Sequence, residues 1–192
     1  MRTTRTRNAF AAVLAGALMA VASPAIAHAQ SVPSNDWTPV ALSTLRTAAA
    51  PSYGIGNYKS GKFLQPSGGS TANGAKIVQQ PGNQLLSAQH WIPVADGNYY
   101  SFENGGSGRN LGIDGASTAA GAAAIQANGS GDLNQDWLLA YSSAYPANTF
   151  ALKNRKSGLC LGISSASTAN GAQAAQFRCD GSANQGWGLF NQ

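Results

Sequence analysis

From residue 53 onward the chain is written in short runs where apolar and polar positions alternate, broken every few residues by Gly, Ser and Asn. Residues 99–102, 111–113, 137–139 and 149–152 are such runs, rich in β-branched and aromatic side chains and bounded by turn formers. No stretch in this part of the chain has the length and 3.6-residue period of an amphipathic helix. The pattern predicts an all-β domain of short strands.

The runs recur. Three segments, 53–94, 99–140 and 149–190, can be laid over one another. Each opens with a strand ending at an asparagine (Asn57, Asn104, Asn154) and continues through a Ser-Gly turn to an apolar pair around Leu64, Leu111 or Leu161. A small-residue loop follows, STANGA from Ser70, STAAGA from Ser117 and STANGA from Ser167. Each segment then ends in a glutamine and, two residues on, a tryptophan: Gln89 and Trp91, Gln135 and Trp137, Gln185 and Trp187. From turn serine to tryptophan is 31 residues in the first copy and 30 in the others. One such unit cannot bury its apolar face alone, so three must share a core, and closure removes sheet edges that would otherwise template aggregation. The expected architecture is a β-trefoil with pseudo-threefold symmetry and about twelve short strands. Trp91, Trp137 and Trp187, at repeat ends with apolar neighbours, are expected in the core.

The first 52 residues lack the repeat. Arg2, Arg5 and Arg7, an uncharged apolar run over 9–21 and the small residues around Ala27-His28-Ala29 read as a cleavable export signal over 1–29. The apolar run is too short to cross a bilayer as a helix, for which about 20 residues are needed. A secreted, extracellular protein with no membrane span is therefore expected. Residues 30–52, rich in Ala, Ser, Thr and Pro, read as a linker or pro-segment from which Trp37 could dock on the domain. The formal charge of +5 shrinks once the three signal arginines leave, to nine bases against seven acids. A net of +2, with only Lys153, Arg155 and Lys156 close together, argues against nucleic acid as a partner.

Two cysteines, Cys160 and Cys179, in an exported chain are expected to bond to one another. With the signal removed one histidine remains, His90, so neither a metal site nor a nucleophile–base pair can be assembled from the usual residues. Asp96, Glu103, Asp114, Asp132, Asp136 and Asp180 share no motif that would pair them for glycoside hydrolysis. No enzyme activity, metal or cofactor is expected.

Taken together, the threefold Gln-x-Trp ending, the leucine before each small-residue loop and the cysteines of the third copy resemble the ricin B-chain-like β-trefoil lectins and carbohydrate-binding modules. The resemblance covers nearly all of the chain beyond the signal and linker, and it implies a carbohydrate partner. A sugar-binding repeat of that family uses an aspartate just after the leucine, an aromatic ring near the second cysteine and the asparagine before the Gln-x-Trp glutamine. Here the residue after the leucine is Gln65, Gly112 or Gly162, so the aspartate is missing from all three copies. The ring survives only as Phe177, where the others carry Gln80 and Ala127. The asparagine survives as Asn134 and Asn184, against Ala88 in the first copy. The resemblance thus implies a site of Phe177, Asn184 and Gln185 in the third copy, and a second of Asn134, Gln135 and a displaced carboxylate, Asp114, in the second. Each is shallow, with avidity available if a polymer engages two copies. A trefoil that has lost sugar binding and serves as a protein-interaction or inhibitor scaffold is the alternative.

Overall fold

A computed structural model of the protein describes residues 52–192 and, ahead of them, the backbone of Thr38–Pro39. The expected export signal, most of the expected linker and Trp37 lie outside the described residues. Strand β1 (Thr38–Pro39) is followed by four strands for each repeat. The first has β2 (Tyr53–Asn57), β3 (Phe63–Pro66), β4 (Ile77–Gln80) and β5 (Trp91–Asp96). The second has β6 (Tyr99–Asn104), β7 (Asn110–Ile113), β8 (Ala124–Ala127) and β9 (Trp137–Tyr141). The third has β10 (Ala151–Asn154), β11 (Cys160–Ile163), β12 (Ala174–Phe177) and β13 (Trp187–Asn191). Among the described residues no helix is long and apolar enough to cross a membrane.

The first and last strands of each repeat close a six-stranded barrel. β5 pairs with β6, β9 with β10, and β13 with β2, all antiparallel. Three single-residue pairings complete the ring at equivalent places: Tyr53 with Trp91, Tyr100 with Trp137 and Phe150 with Trp187. The hairpins β3–β4, β7–β8 and β11–β12 cap one end and touch through bridges such as Lys76–Ile125 and Ala123–Ala175. β1, within the segment expected to be a linker, adds to β9 through Thr38–Tyr141 and Pro39–Ala140.

Alternation decides which side chains meet inside. In β6, Tyr100, Phe102 and Asn104 are buried while their neighbours are only half-buried. One cluster collects Ile55, Leu64, Phe102, Leu111, Leu139, Leu152, Leu161 and the three repeat-end tryptophans, none of which is more than 1% exposed. Full burial of one such side chain contributes about 1.5–3 kcal/mol. A buried indole needs an acceptor for its N–H. Trp91, Trp137 and Trp187 each donate to the carbonyl of their own repeat's leucine, Leu64, Leu111 and Leu161, at 3.0, 2.9 and 2.9 Å.

Polar groups hold the repeats to one another with the same symmetry. Gln79, Gln126 and Gln176, on β4, β8 and β12, are fully buried. Gln126 Nε2 donates to Ser70 and Ala72 in the first small-residue loop, Gln176 Nε2 to Ser117 and Ala119 in the second, and Gln79 Nε2 to Ser167 and Ala169 in the third, all at 2.8–3.0 Å. The turn serines Ser60, Ser107 and Ser157 donate to the same amides' oxygens at 2.7 Å. Every repeat is thereby stitched to another in a closed cycle, and each amide is paired at both ends, as burial demands.

Candidate functional site

In the third repeat, β12 delivers the ring of Phe177 to the surface and the chain then makes a tight loop back to β13. Three bonds fix that loop. Cys179 is joined to Cys160, their Cα atoms 5.0 Å apart. Asp180 Oδ1 accepts the Ser182 amide at 2.9 Å, and Gln185 Nε2 donates to the Arg178 carbonyl at 2.9 Å. The result is an open cleft of about 410 Å³ whose walls include Phe177, Arg178, Asp180, Asn184 and Ser165.

Gly162, itself buried on β11, lies beneath these groups. A methyl added there would lie 3.2 Å from Phe177 Cδ2, 3.4 Å from Asn184 Nδ2 and 3.0 Å from Gln185 Cγ. The position that carries an aspartate in the resembling family is therefore directly below the ring and the amide, and here it is bare backbone. Asp180 supplies a carboxylate from the loop instead. In the sequence Asp180 is one of six carboxylates that share no motif. Its neighbour Cys179, pinned by the bridge, was the available signal that its direction is fixed.

Asn184 is half-buried and donates to the Ile163 carbonyl at 3.3 Å. Gln185 is buried, and its amide is committed to the loop: Nε2 to Arg178, Oε1 accepting the Asp180 amide at 3.3 Å. Gln185 therefore holds the site's shape. Gln135 does the same in the second repeat, with Nε2 donating to Asn128 O and Ser130 Oγ and Oε1 accepting from Asn110.

The second repeat brings fewer groups together. Asn134 is only 6% exposed; Nδ2 donates to the Ile113 carbonyl at 3.1 Å and its oxygen is buried without a partner. Ala127 provides no ring. Asp114, the displaced carboxylate, lies beyond strand β7: it opens a short 3₁₀ turn, Asp114–Ala116, and stands exposed. The turn begins there because Gly115 takes φ +58°, a left-handed conformation that a strand cannot continue. At the same place the third repeat has Ser165, with φ +55°, a strained conformation for a residue with a side chain, and Ser165 lines the cleft.

A segment between repeats two and three buttresses the site from behind. The Tyr145 ring packs in a small cluster with Ala151 and the Cys160–Cys179 bridge, and its hydroxyl donates to the Ser182 carbonyl at 3.4 Å. Burial, and then the charge of Asp180, push the Tyr145 phenol above its ordinary value.

Two of the other carboxylates share one cation. Asp96 and Asp136 both accept from Arg155 Nη1, at 2.7 and 3.0 Å, and the guanidinium lies 4.5 Å from the centre of the Tyr99 ring. Among the described residues no three His, Cys, Asp or Glu side chains gather as metal ligands would.

The family profile described as ricin-type β-trefoil lectin domain-like matches residues 33–132 and 133–192. Among solved structures, a designed threefold-symmetric protein, ThreeFoil, is 33% identical with a TM-score of 0.70, the match covering 73% of this chain and 99% of that one. An exo-β-1,3-galactanase from Clostridium thermocellum, 1,3Gal43A, is 28% identical with a TM-score of 0.70; the match covers 77% of this chain but 31% of the enzyme. A ricin B-like lectin from Macrolepiota procera, solved with lactose, shares the fold at 21% identity and a TM-score of 0.66, over 77% of this chain and 99% of the lectin. No match was found among curated protein sequences. With a barrel closed by three equivalent tryptophan pairings and a family profile covering 33–192, the chain belongs to the ricin-type β-trefoil lectin-like family.

Proposed function

We propose that the protein is a non-catalytic carbohydrate-binding protein whose principal site is the cleft of the third repeat. The observation that carries this reading is the convergence of an aromatic ring, Phe177, a half-buried amide, Asn184, and a loop carboxylate, Asp180, on one open cleft beside Gly162. A ring covers the apolar C–H face of a pyranose, while an amide and a carboxylate fix neighbouring hydroxyls by paired hydrogen bonds. Stereochemistry is discriminated because a polar group buried without a partner costs about 1–3 kcal/mol. Gln185 acts as a positioning residue, holding the loop that carries Asp180. The second repeat, without a ring and with its asparagine closed over, is at most an accessory.

The test is a glycan array that includes β-1,3-linked galactan, a choice prompted by the Clostridium enzyme. Retention of the full chain is expected, with Phe177→Ala and Asn184→Ala each weakening it by about tenfold, equivalent to about 1.4 kcal/mol. Retention that both substitutions leave untouched would move the site elsewhere.

Absence of binding across the array would favour the second reading, a protein-interaction scaffold. Leu85, 92% exposed on the first repeat's loop, is the observation on its side.

A further inference from the structure

The barrel closes where β13 meets β2, with Gly188 opposite Gly56 and Phe190 opposite Gly54. This seam does not follow the threefold pattern. A methyl on Gly56 or Gly188 would stand 2.7 or 2.8 Å from the Phe190 ring, and one on Gly54 or Gly82 2.7 or 2.8 Å from the Phe63 ring. The glycines leave room for both rings against bare backbone, where they meet edge to face with centroids 5.4 Å apart. The equivalents of Phe63 are Asn110 and Cys160, and those of Phe190 are Val94 and Ala140, so no other repeat has the platform.

The rings stand between two clefts. One, of about 350 Å³, has Tyr58, Asn148 and Thr149 on its walls; the other, of about 260 Å³, has Asn83, Gln84 and Gln192. No lysine, arginine, aspartate or glutamate side chain lines either. Phe190 and Tyr58 remain 52% and 53% exposed, although folding favours burying such rings. Aromatic surface bordered by amide and hydroxyl groups, with no charged side chain on either cleft, suits an uncharged saccharide.

Hydrogen bonds tie the first cleft to the third-repeat site. They run from the turn after β2, whose Asn57 and Tyr58 line the first cleft: Asn57 Nδ2 donates to the Asn184 carbonyl at 2.9 Å and the Tyr58 amide to Gly186 O at 2.9 Å. Lys59 Nζ reaches the carbonyl of Ala166, on the rim of the third-repeat cleft, at 2.7 Å.

We propose that the seam groove of Tyr58, Phe63 and Phe190 is a second saccharide subsite, which takes further neutral sugar units of an oligosaccharide whose first unit occupies the third-repeat cleft. The inference rests on the carbohydrate-binding reading above and makes the ligand an oligosaccharide or polysaccharide. The ligand crosses the Asn57–Gly61 turn, and the two subsites act together by raising each other's effective concentration.

Calorimetric titration of the full chain with galactose and with β-1,3-linked galactan oligosaccharides tests it. The oligosaccharides are expected to bind about tenfold more tightly than galactose. Phe190→Ala should abolish that advantage and leave galactose affinity unchanged, whereas Phe177→Ala should weaken both ligands. Tyr58→Ala, on an exposed turn, should reproduce the Phe190→Ala split and guards against a folding defect in the latter. Equal affinity for galactose and oligosaccharides, or an advantage that survives both seam substitutions, overturns the second subsite while leaving the third-repeat site standing. No heat with either probe overturns the carbohydrate reading and the subsite together.

Discussion

Repeats two and three run almost the same text, yet only one of them opens a cleft walled by ring, amide and carboxylate. Both place Asn-Gln before the tryptophan, both have a glycine after the leucine, and both commit that glutamine to the loop above it. The differences are few. The third has Phe177 for Ala127, a disulfide for the pair Asn110 and Gly129, and Tyr145 packed behind the loop. In the second, Asn134 is shut in with its oxygen unpaired; in the third, Asn184 lies on the wall of an open cleft. What must be alike, the tryptophan pairings and the ring of buried amides, is alike in all three copies because closure requires it. The loops outside that ring are free to diverge, and the recognition chemistry is found in them.

The disulfide is the largest lever on this contrast. Replacing Cys160 and Cys179 by alanine should lower stability by about 3 kcal/mol, measured by urea unfolding, because the closed loop is about 20 residues long. It should also loosen the third-repeat cleft. Loss of stability well below 1 kcal/mol would mean that the loop is held by Gln185 and Tyr145 alone.

The converse experiment installs the bridge in the second repeat. A methyl on Gly129 would lie 3.4 Å from Asn110 Nδ2, so Asn110→Cys with Gly129→Cys should oxidise spontaneously, as thiol titration would reveal. The gain should be smaller, about 2 kcal/mol, since the Asn110–Gln135 hydrogen bond is lost. Two free thiols in the oxidised preparation would show that the two loops are not equivalent in backbone.

Ser165→Gly brings the third repeat to the glycine that the others carry at Gly68 and Gly115. Relief of left-handed strain, about 1–2 kcal/mol, is partly offset by about 0.4–1 kcal/mol of added unfolded-state entropy. A net stabilisation between about 0 and about 1.6 kcal/mol is expected, together with weaker sugar retention if the Ser165 hydroxyl touches ligand. A clear destabilisation would refute the strain argument.

The smallest effect at neutral pH belongs to Tyr145→Phe, which removes one long hydrogen bond. Its signature lies in alkali. The folded phenol is raised above its ordinary value of 10.0, so its contribution to stability is complete below that pH and is lost as pH rises through the folded value. The wild type should therefore lose thermal stability above about pH 10, and the variant should lose less. Coincident alkaline limbs for the two proteins would place the buried phenol outside the cluster at Cys160.

Much of the fold was legible because repetition is a sequence property. Matched spacing of Leu64, Leu111 and Leu161 with the three tryptophans specifies three equivalent units, and each equivalent pair became an indole–carbonyl bond. Phe177 and Asn184 were legible as a site through their place in the repeat. Asp180 was not, because its carboxylate reaches the cleft only through the geometry of a loop bridged at Cys179. Gln79, Gln126 and Gln176 were equally silent, since the carbonyls that their Nε2 groups reach lie in a different repeat, at separations of 54 to 90 residues.

The sequence by itself determined that the chain forms short strands between turns, that the unit repeats three times and that the three repeat-end tryptophans fill the barrel, because these depend on local alternation and on spacing within one repeat. Tertiary structure alone decided which amides close the ring between repeats, that Asn134 is shut in where Asn184 borders a cleft, and that Phe63 and Phe190 meet across the seam. Those outcomes depend on distances between residues far apart in the chain, which take definite values only once the last strand has paired with the first of the barrel.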